Sequence, residues 1–211
     1  MERAIIFVDG SNWYHGCAAI GLSRLGRLDF AQISRKLTQN RQWLSTRYYV
    51  GQMPQGATRT LAAGQRRFLR FLRSCDARIS VHLGRIEVRQ VRSEAAAQLL
   101  GYLGALRSRI DPAVYQDLLA VARNHAVVQV LVEKAVDVQL AVDMVVMAER
   151  DEYDTAYLLS ADGDLTPAVA AVTATGRRVF VASPAAGARL AEVATGYLRL
   201  RRPWFADAYA P

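Results

Sequence analysis

Tyr157-Leu158-Leu159-Ser160-Ala161-Asp162-Gly163-Asp164-Leu165-Thr166-Pro167 is the stretch on which the reading of this chain turns. It opens as a short apolar run with the pattern of a buried strand. The run breaks at two carboxylates one glycine apart, and Pro167 then suits the first turn of a helix. A strand that ends in acids and feeds a helix is half of a βαβ unit, with the acids at the carboxyl edge of a parallel sheet. Two close carboxylates are costly together unless a cation lies between them or one keeps a proton. A plain turn is the alternative, since Asp and Gly are common turn residues. On the first reading, Gly163 is what allows two acids to crowd one sheet edge.

Other segments end the same way. Ala4-Ile5-Ile6-Phe7-Val8 is a continuous apolar run, the pattern of a central strand covered on both faces. It stops at Asp9-Gly10-Ser11-Asn12, and an amphipathic segment follows to about Ile20. In open α/β sheets that carboxyl edge is where ligands bind. Asn12 either caps the helix or orients a ligand or water beside Asp9. Further on, Val127–Val132 has strand character and leads through Glu133 and Lys134 into a helix carrying Asp137 and Asp143. Asp137 is well placed near the helix N-terminus. Asp143 lies about 240° further around the helix by the 3.6-residue period, so the two acids do not share a face. That leaves Asp143 to cap, pair or bind at the periphery.

The remaining segments fill in an α/β alternation. Leu28–Leu44 reads as a helix with Asp29 as N-cap, Thr46–Val50 as a strand and 52–58 as a loop. Arg59–Ser74 is an amphipathic helix whose Leu61, Phe68, Phe71 and Leu72 line one face. Arg59, Arg66, Arg70 and Arg73 recur at i, i+7, i+11 and i+14, either as a solvated face or as a stripe for a phosphate backbone. Ala77–Val91 alternates apolar and polar residues around Gly84, as two strands or one bent strand. Ser93–Arg107 and Asp111–Arg123 read as a helical hairpin inserted at 93–123, the second helix opened by Asp111-Pro112. Arg178–Ala182 is a last apolar strand, a helix over about 185–194 follows, and an extended Tyr197–Leu200 leads into a basic tail that runs to 211. With no repeat and no low-complexity linker, 1–211 is expected to form one domain.

Composition narrows the function. Of 211 residues, 52% are hydrophobic and 22% charged, which is a globular composition. No apolar run approaches the ~18 residues of a membrane span, and the N-terminal run stops too soon for a signal peptide. Cys17 and Cys75 have no CxxC spacing, so neither a disulfide framework nor a zinc site is expected, and the cytoplasm fits best. Twenty-seven Lys plus Arg against nineteen Asp plus Glu give a net charge of +8, nearly all of it from arginine. That is the footprint of a polyanion binder, or else of a biased base composition. His15, His82 and His125 lack metal-ligand spacing, and neither a Ser-His-Asp arrangement nor a phosphate-cradling glycine loop is visible.

Asp9, Asp137 and the Asp162/Asp164 pair thus come from three separate segments. Carboxylates gathered at one sheet edge form an oxygen-rich site for Mg²⁺ or Mn²⁺. Such ions activate water and stabilise the leaving oxygen in phosphodiester hydrolysis.

Phe7-Val8-Asp9-Gly10-Ser11-Asn12 resembles the opening motif of NYN domains. Lys134-Ala135-Val136-Asp137-Val138-Gln139-Leu140-Ala141-Val142-Asp143 resembles their Lys-Gly-x-Asp-x-x-Leu-x-x-Asp motif. Ser160-Ala161-Asp162-Gly163-Asp164 with Pro167 resembles their third block. Together these look like the LabA-like branch of the NYN family, a PIN-like group of metal-dependent ribonucleases. The resemblance implies a Rossmann-like α/β/α sandwich with a mostly parallel sheet. It also implies an Mg²⁺ or Mn²⁺ pocket of Asp9, Asp137, Asp162 and Asp164, supported by Asn12, Ser160, Lys134 and Asp143. Ala135 and Ala161 replace the family's usual glycines, at little cost at Ala135 if the backbone there is helical.

Three functions are then expected to compete. One is a ribonuclease acting on RNA, with DNA open as a substrate and the arginine stripe holding the backbone. Another is a binding protein on the same fold, whose 93–123 insertion docks a protein or a second copy. The last is a phosphatase of the haloacid dehalogenase type, because Asp162-Gly163-Asp164-Leu165-Thr166 spells DxDxT. Against it, that motif comes late, and the 45 residues after it contain no lysine.

Overall fold

The first strand, β1 (Arg3–Asp9), sets the layering because its residues alternate between two separate cores. Ala4, Ile6 and Val8 join one cluster, and Ile5 and Phe7 the other. The computed structural model describes residues 1–54 and 59–209, without the side chains of Arg59 and Leu131. Residues 55–58 of the expected 52–58 loop lie outside the described residues, as do the last two of the tail.

The chain forms two compact units, 1–85 with 133–211, and 86–132. In the larger unit, helix α1 (Gly10–Ala19) follows β1, and α2 (Phe30–Thr38) precedes β2 (Gln42–Gln52). Asp29 caps α2 as expected, accepting from the Ala31 N–H at 2.9 Å. The expected helix over Leu28–Leu44 is shorter, because Gln39 turns to φ 46 and Trp43 and Leu44 already belong to β2. Trp43 is buried in a core on β2, so tertiary packing overrides the local helical pattern.

Helix α3 (Arg59–Cys75) leads to β3 (Ile79–Arg92), one continuous strand rather than two. A Cβ on Gly84 would sit 2.3 Å from the Val136 side chain and 2.9 Å from the Lys134 carbonyl, so glycine is required there. After β4 (Val127–Lys134) come α6 (Val136–Glu149), β5 (Thr155–Leu159), α7 (Thr166–Ala174) and β6 (Arg178–Ser183). Helix α8 (Ala188–Val193) and strand β7 (Gly196–Arg199) complete the series. β7 pairs with β6 and carries most of the stretch Tyr197–Leu200 that was expected to be extended.

The sheet order is β4-β3-β2-β1-β5-β6-β7. The pairings of β1 with β2 and β5, of β2 with β3, and of β6 with β5 and β7 are all parallel. The result is the expected α/β architecture, a mostly parallel sheet between helical layers. One core gathers Trp13, Phe30, Ile33 and Leu72 from α1, α2 and α3. The other gathers Leu140, Met144, Val169 and Leu190 from α6, α7 and α8. The chain runs from β1 outward to β2 and β3, then returns to the other side of β1 with β5. The sheet's switch point therefore lies between β1 and β5, where open α/β sheets place their ligands.

The smaller unit holds α4 (Glu94–Leu106) and α5 (Pro112–Asn124), the expected helical hairpin. Ser93 caps α4 and Asp111 caps α5, with Pro112 in its first turn. The Ser93 N–H donates to the Ala126 carbonyl at 2.9 Å, closing the base of the hairpin. Ala96, Leu103 and Ala122 are the buried apolar residues among its described side chains.

Candidate metal centre

Asp9 is the last residue of β1 and the N-cap of α1, so one residue ends the strand and starts the helix. Its Oδ1 accepts the Asn12 N–H at 3.0 Å, and its Oδ2 accepts the Ser160 hydroxyl at 2.8 Å. Asp9 is only 2% exposed. A Cβ on the next residue, Gly10, would lie 2.5 Å from the Tyr48 ring and 2.7 Å from the Tyr49 carbonyl. That close approach to β2 is why the turn after Asp9 needs glycine.

The loop after β5 is tied to the same point. Ser160 donates to Asp9 and accepts the Asp162 N–H at 3.0 Å. The Asn12 carboxamide oxygen accepts the Ala161 N–H at 2.8 Å. Asn12 does not cap α1, because Asp9 does and takes the Asn12 N–H; the Asn12 side chain instead braces the β1 loop to the β5 loop. Asp162 in turn caps the 3-10 turn Gly163–Leu165, accepting the Asp164 N–H at 3.0 Å.

Asp137 arrives from a third element, the first turn of α6. Oxygen atoms of Asp9, Asp137 and Asp162 all lie within 4.8 Å of one another. Asp164 is exposed and stands outside that group, although its charge still bears on Asp137. Burial first, then the charges of Asp137 and Asp162, push the Asp9 carboxyl up to about 6 against the Asn12 and Ser160 hydrogen bonds. Asp137 is raised by desolvation and then by Asp162 and Asp164. Three carboxylates converge, and an all-oxygen donor set of this kind fits a hard divalent ion.

Glu133 escaped the sequence reading. It accepts the Gly51 N–H and the Ser11 hydroxyl, and Asp137 together with burial raises its carboxyl. Its signal was present, because an acid closing an apolar strand is the spelling that singled out Asp9. Lys134, the next residue, is half-buried at the end of β4.

Asp143 goes elsewhere. Its Oδ2 accepts from the Arg47 guanidinium and the Tyr49 hydroxyl, each at 2.8 Å. His82 stacks on Tyr49 with ring centroids 4.7 Å apart. Arg47 and Tyr49 hold the Asp143 carboxyl below its usual range against the effect of burial. This matches the helical phase that separated Asp143 from Asp137.

Two expectations about small residues need correction. Ala135 has φ 66, a left-handed backbone rather than a helical one, so alanine in place of glycine carries a real strain there. Gly163 has no such conformation, and a Cβ on it would meet only the flexible Arg189 side chain at 3.2 Å. The Ser160 and Asp162 hydrogen bonds, rather than glycine's freedom, shape that turn. Of the arginine stripe, Arg66, Arg70 and Arg73 are exposed on α3, while the Arg59 side chain lies outside the described residues. Among the described residues no helix is long and apolar enough to cross a membrane.

The NYN domain family matches residues 3–201. No curated protein matches the chain. Among solved structures, a protein of unknown function from Vibrio parahaemolyticus is similar in fold. It has a TM-score of 0.54 at 18% identity, covering 93% of this chain and 91% of that one. With the family matched across nearly its whole length, and acids gathered at the switch point of a parallel sheet, the chain belongs to the NYN domain family.

Proposed function

We propose that this protein is a metal-dependent ribonuclease of the LabA-like branch, hydrolysing RNA phosphodiester bonds at the Asp9/Asp137/Asp162 site. The observation that carries the reading is the convergence of three carboxylates, from three elements, within 4.8 Å. Asp9, Asp137 and Asp162 would hold Mg²⁺ or Mn²⁺, with Asp164 and Glu133 at the margin. When bound, the ion supplies a Lewis acid for the phosphate oxygens and lowers the pKa of a water.

The chain's own residues do the rest. Ser160 and the Asn12 N–H occupy both Asp9 oxygens and so aim the carboxylate. Asn12 holds the β5 loop at Ala161 and keeps Asp162 in register with Asp9. Exposed Arg66, Arg70 and Arg73 offer a guanidinium stripe for the RNA backbone, with Arg59 as its sequence continuation. DNA is an alternative polyanion for the same surface. The 93–123 insertion is a docking element for a protein partner or a second copy, given its exposed Leu99, Tyr102, Val114 and Leu118. With free cysteines at Cys17 and Cys75, the reducing cytoplasm is the compartment we assign.

The test is cleavage of end-labelled single-stranded and double-stranded RNA with Mn²⁺, Mg²⁺ or EDTA. Metal-dependent products that vanish in Asp162→Asn support the reading. Absence of turnover with every metal, alongside unchanged RNA binding by Asp162→Asn, would leave an RNA-binding protein on a nuclease fold. The phosphatase alternative predicts instead a phosphoaspartate at Asp162, trapped and detected by mass spectrometry.

A further inference from the structure

The two edges of the sheet are built differently. On one side β7 is four residues long, begins at a glycine and ends at Arg199, with Arg201, Arg202 and Pro203 close behind. Short strands, charge and proline are how natural edges are blunted against further pairing. On the other side β4 is eight residues long, and its run Val127-Val128-Gln129-Val130-Leu131-Val132 holds neither charge nor proline. A near-continuous apolar run of this kind belongs to a strand covered on both faces. In β4 both faces are open instead. Val127 is 51% exposed, Val128 39% and Val130 40%, and Val127 and Val128, as neighbours along a strand, point to opposite faces. On β3 alongside, Val88 and Val91 are each 45% exposed.

An edge strand presents a row of backbone N–H and C=O groups that another strand can pair in register. The sheet order gives β4 a neighbour in β3 on one side and, among the described residues, no strand on the other. Charge narrows the identity of the strand that fits. Residues 86–132 carry five arginines against four acids, so this unit holds only +1 of the chain's net +8. A polyanion finds little to hold there, and a second copy meets little repulsion. Symmetry narrows it further. With β7 blunted, a head-to-tail contact between β4 and the β7 of a second copy is disfavoured, and with it an open filament. What remains is β4 against the same strand of a second copy. Two identical edge strands related by a two-fold axis run antiparallel, and each then offers the other an uncharged, valine-rich run.

We propose that this protein is a two-fold homodimer joined through β4, with the sheet running on from one copy into the other. The interface is the strand edge rather than the helical hairpin, and it does not depend on the nuclease reading. Sedimentation equilibrium of the full chain across the micromolar range tests it. The parent should reach twice its 23.3 kDa and no more. Val128→Lys combined with Val130→Lys sets like charges against each other across the axis and should weaken the dimer at least a hundredfold. Val127→Lys, on the other face of the strand, should weaken it at least tenfold. That single variant carries the test if the double one fails to fold by circular dichroism. Leu198→Lys, at an exposed position on β7, and Asp162→Asn should dimerise within twofold of the parent. Deuterium exchange at the amides of residues 127–130 should be at least tenfold faster in the monomeric variant than in the parent. The proposal is overturned if the parent stays monomeric throughout, which would leave β4 to a strand of a different protein. It is equally overturned by a dimer that the β4 lysines leave intact, by one that Leu198→Lys dissociates, or by masses that keep climbing with concentration.

Discussion

Asp137 and Asp143 sit on the same helix, α6, and meet opposite surroundings. Asp137 is raised by desolvation and then by the charges of Asp162 and Asp164, whereas Asp143 accepts from Arg47 and Tyr49 and is lowered. One acid is left needing a positive charge from outside the chain, and the other has received it from β2. The contrast shows that an acid in a family-like motif is assigned its role by what faces it. The cluster at the switch point is left without a counter-charge from its own hydrogen-bond partners, while the pair beside it ties α6 to β2.

The largest effect that would break this contrast comes from removing charge at the cluster. Asp9→Asn should lower metal-dependent cleavage on the order of 10²–10³-fold, because it removes a carboxylate meant to stabilise charge at the reacting phosphate. In EDTA the same variant should melt at a higher temperature than the parent, since a buried like-charge contact is relieved. A lower melting temperature in EDTA would mean that Asp9 is structural.

Ser160→Ala should come next. It leaves all three acids in place but frees one Asp9 oxygen, and Mn²⁺ affinity measured by calorimetry should fall about 10–100-fold. Asp143→Ala should behave in the opposite way. Arg47 would be left half-buried without its partner, costing about 2 kcal/mol in urea unfolding, with Mn²⁺ affinity unchanged. If Asp143→Ala abolishes metal binding while the fold survives, the two acids share a role after all.

The pH dependence separates the two regions as well. The Asp9 carboxyl titrates near about 6 in the folded protein against an ordinary value of 3.8. The folded state therefore holds a proton that the unfolded state has released, and metal-free stability should fall as pH rises from about 4 to about 6. Asp143 is shifted the other way, so its contribution is present above the ordinary carboxylate range and is lost as pH falls through its lowered value. Metal-free melting curves of the parent, Asp9→Asn and Asp143→Ala across pH 3–8 should show the first slope reduced in Asp9→Asn and kept in Asp143→Ala, with the raised Asp137 and Glu133 carboxyls supplying what remains. The smallest expected effect is at the entrance to α6, where Ala135→Gly should stabilise by about 1 kcal/mol by relieving the left-handed strain. Destabilisation there, in urea titration, would overturn that account.

Much of the candidate site was legible because its residues lie where a strand stops. Asp9 and Asp162 each follow an apolar run, and Asp137 opens a helix, so period and punctuation alone place them at one sheet edge. Glu133 shares that spelling but lies one residue before the motif that begins at Lys134. Asp164 was legible as an acid, but a one-glycine spacing does not say which carboxylate turns inward. The helix over Leu28–Leu44 was read too long because nothing local marks Gln39 as the point where the backbone turns over.

The sequence by itself determined the alternation of strands and helices, the acids at strand ends, the phase that parts Asp137 from Asp143, and the caps at Asp29 and Asp111. These are properties of neighbours along the chain. Only the tertiary structure decided that β5 returns beside β1 to bring Asp162 to Asp9, that Arg47 and Tyr49 reach Asp143, and that β4 ends the sheet beside β3. Each of those depends on residues far apart in sequence, whose meeting is set by strand order and core packing rather than by any local pattern.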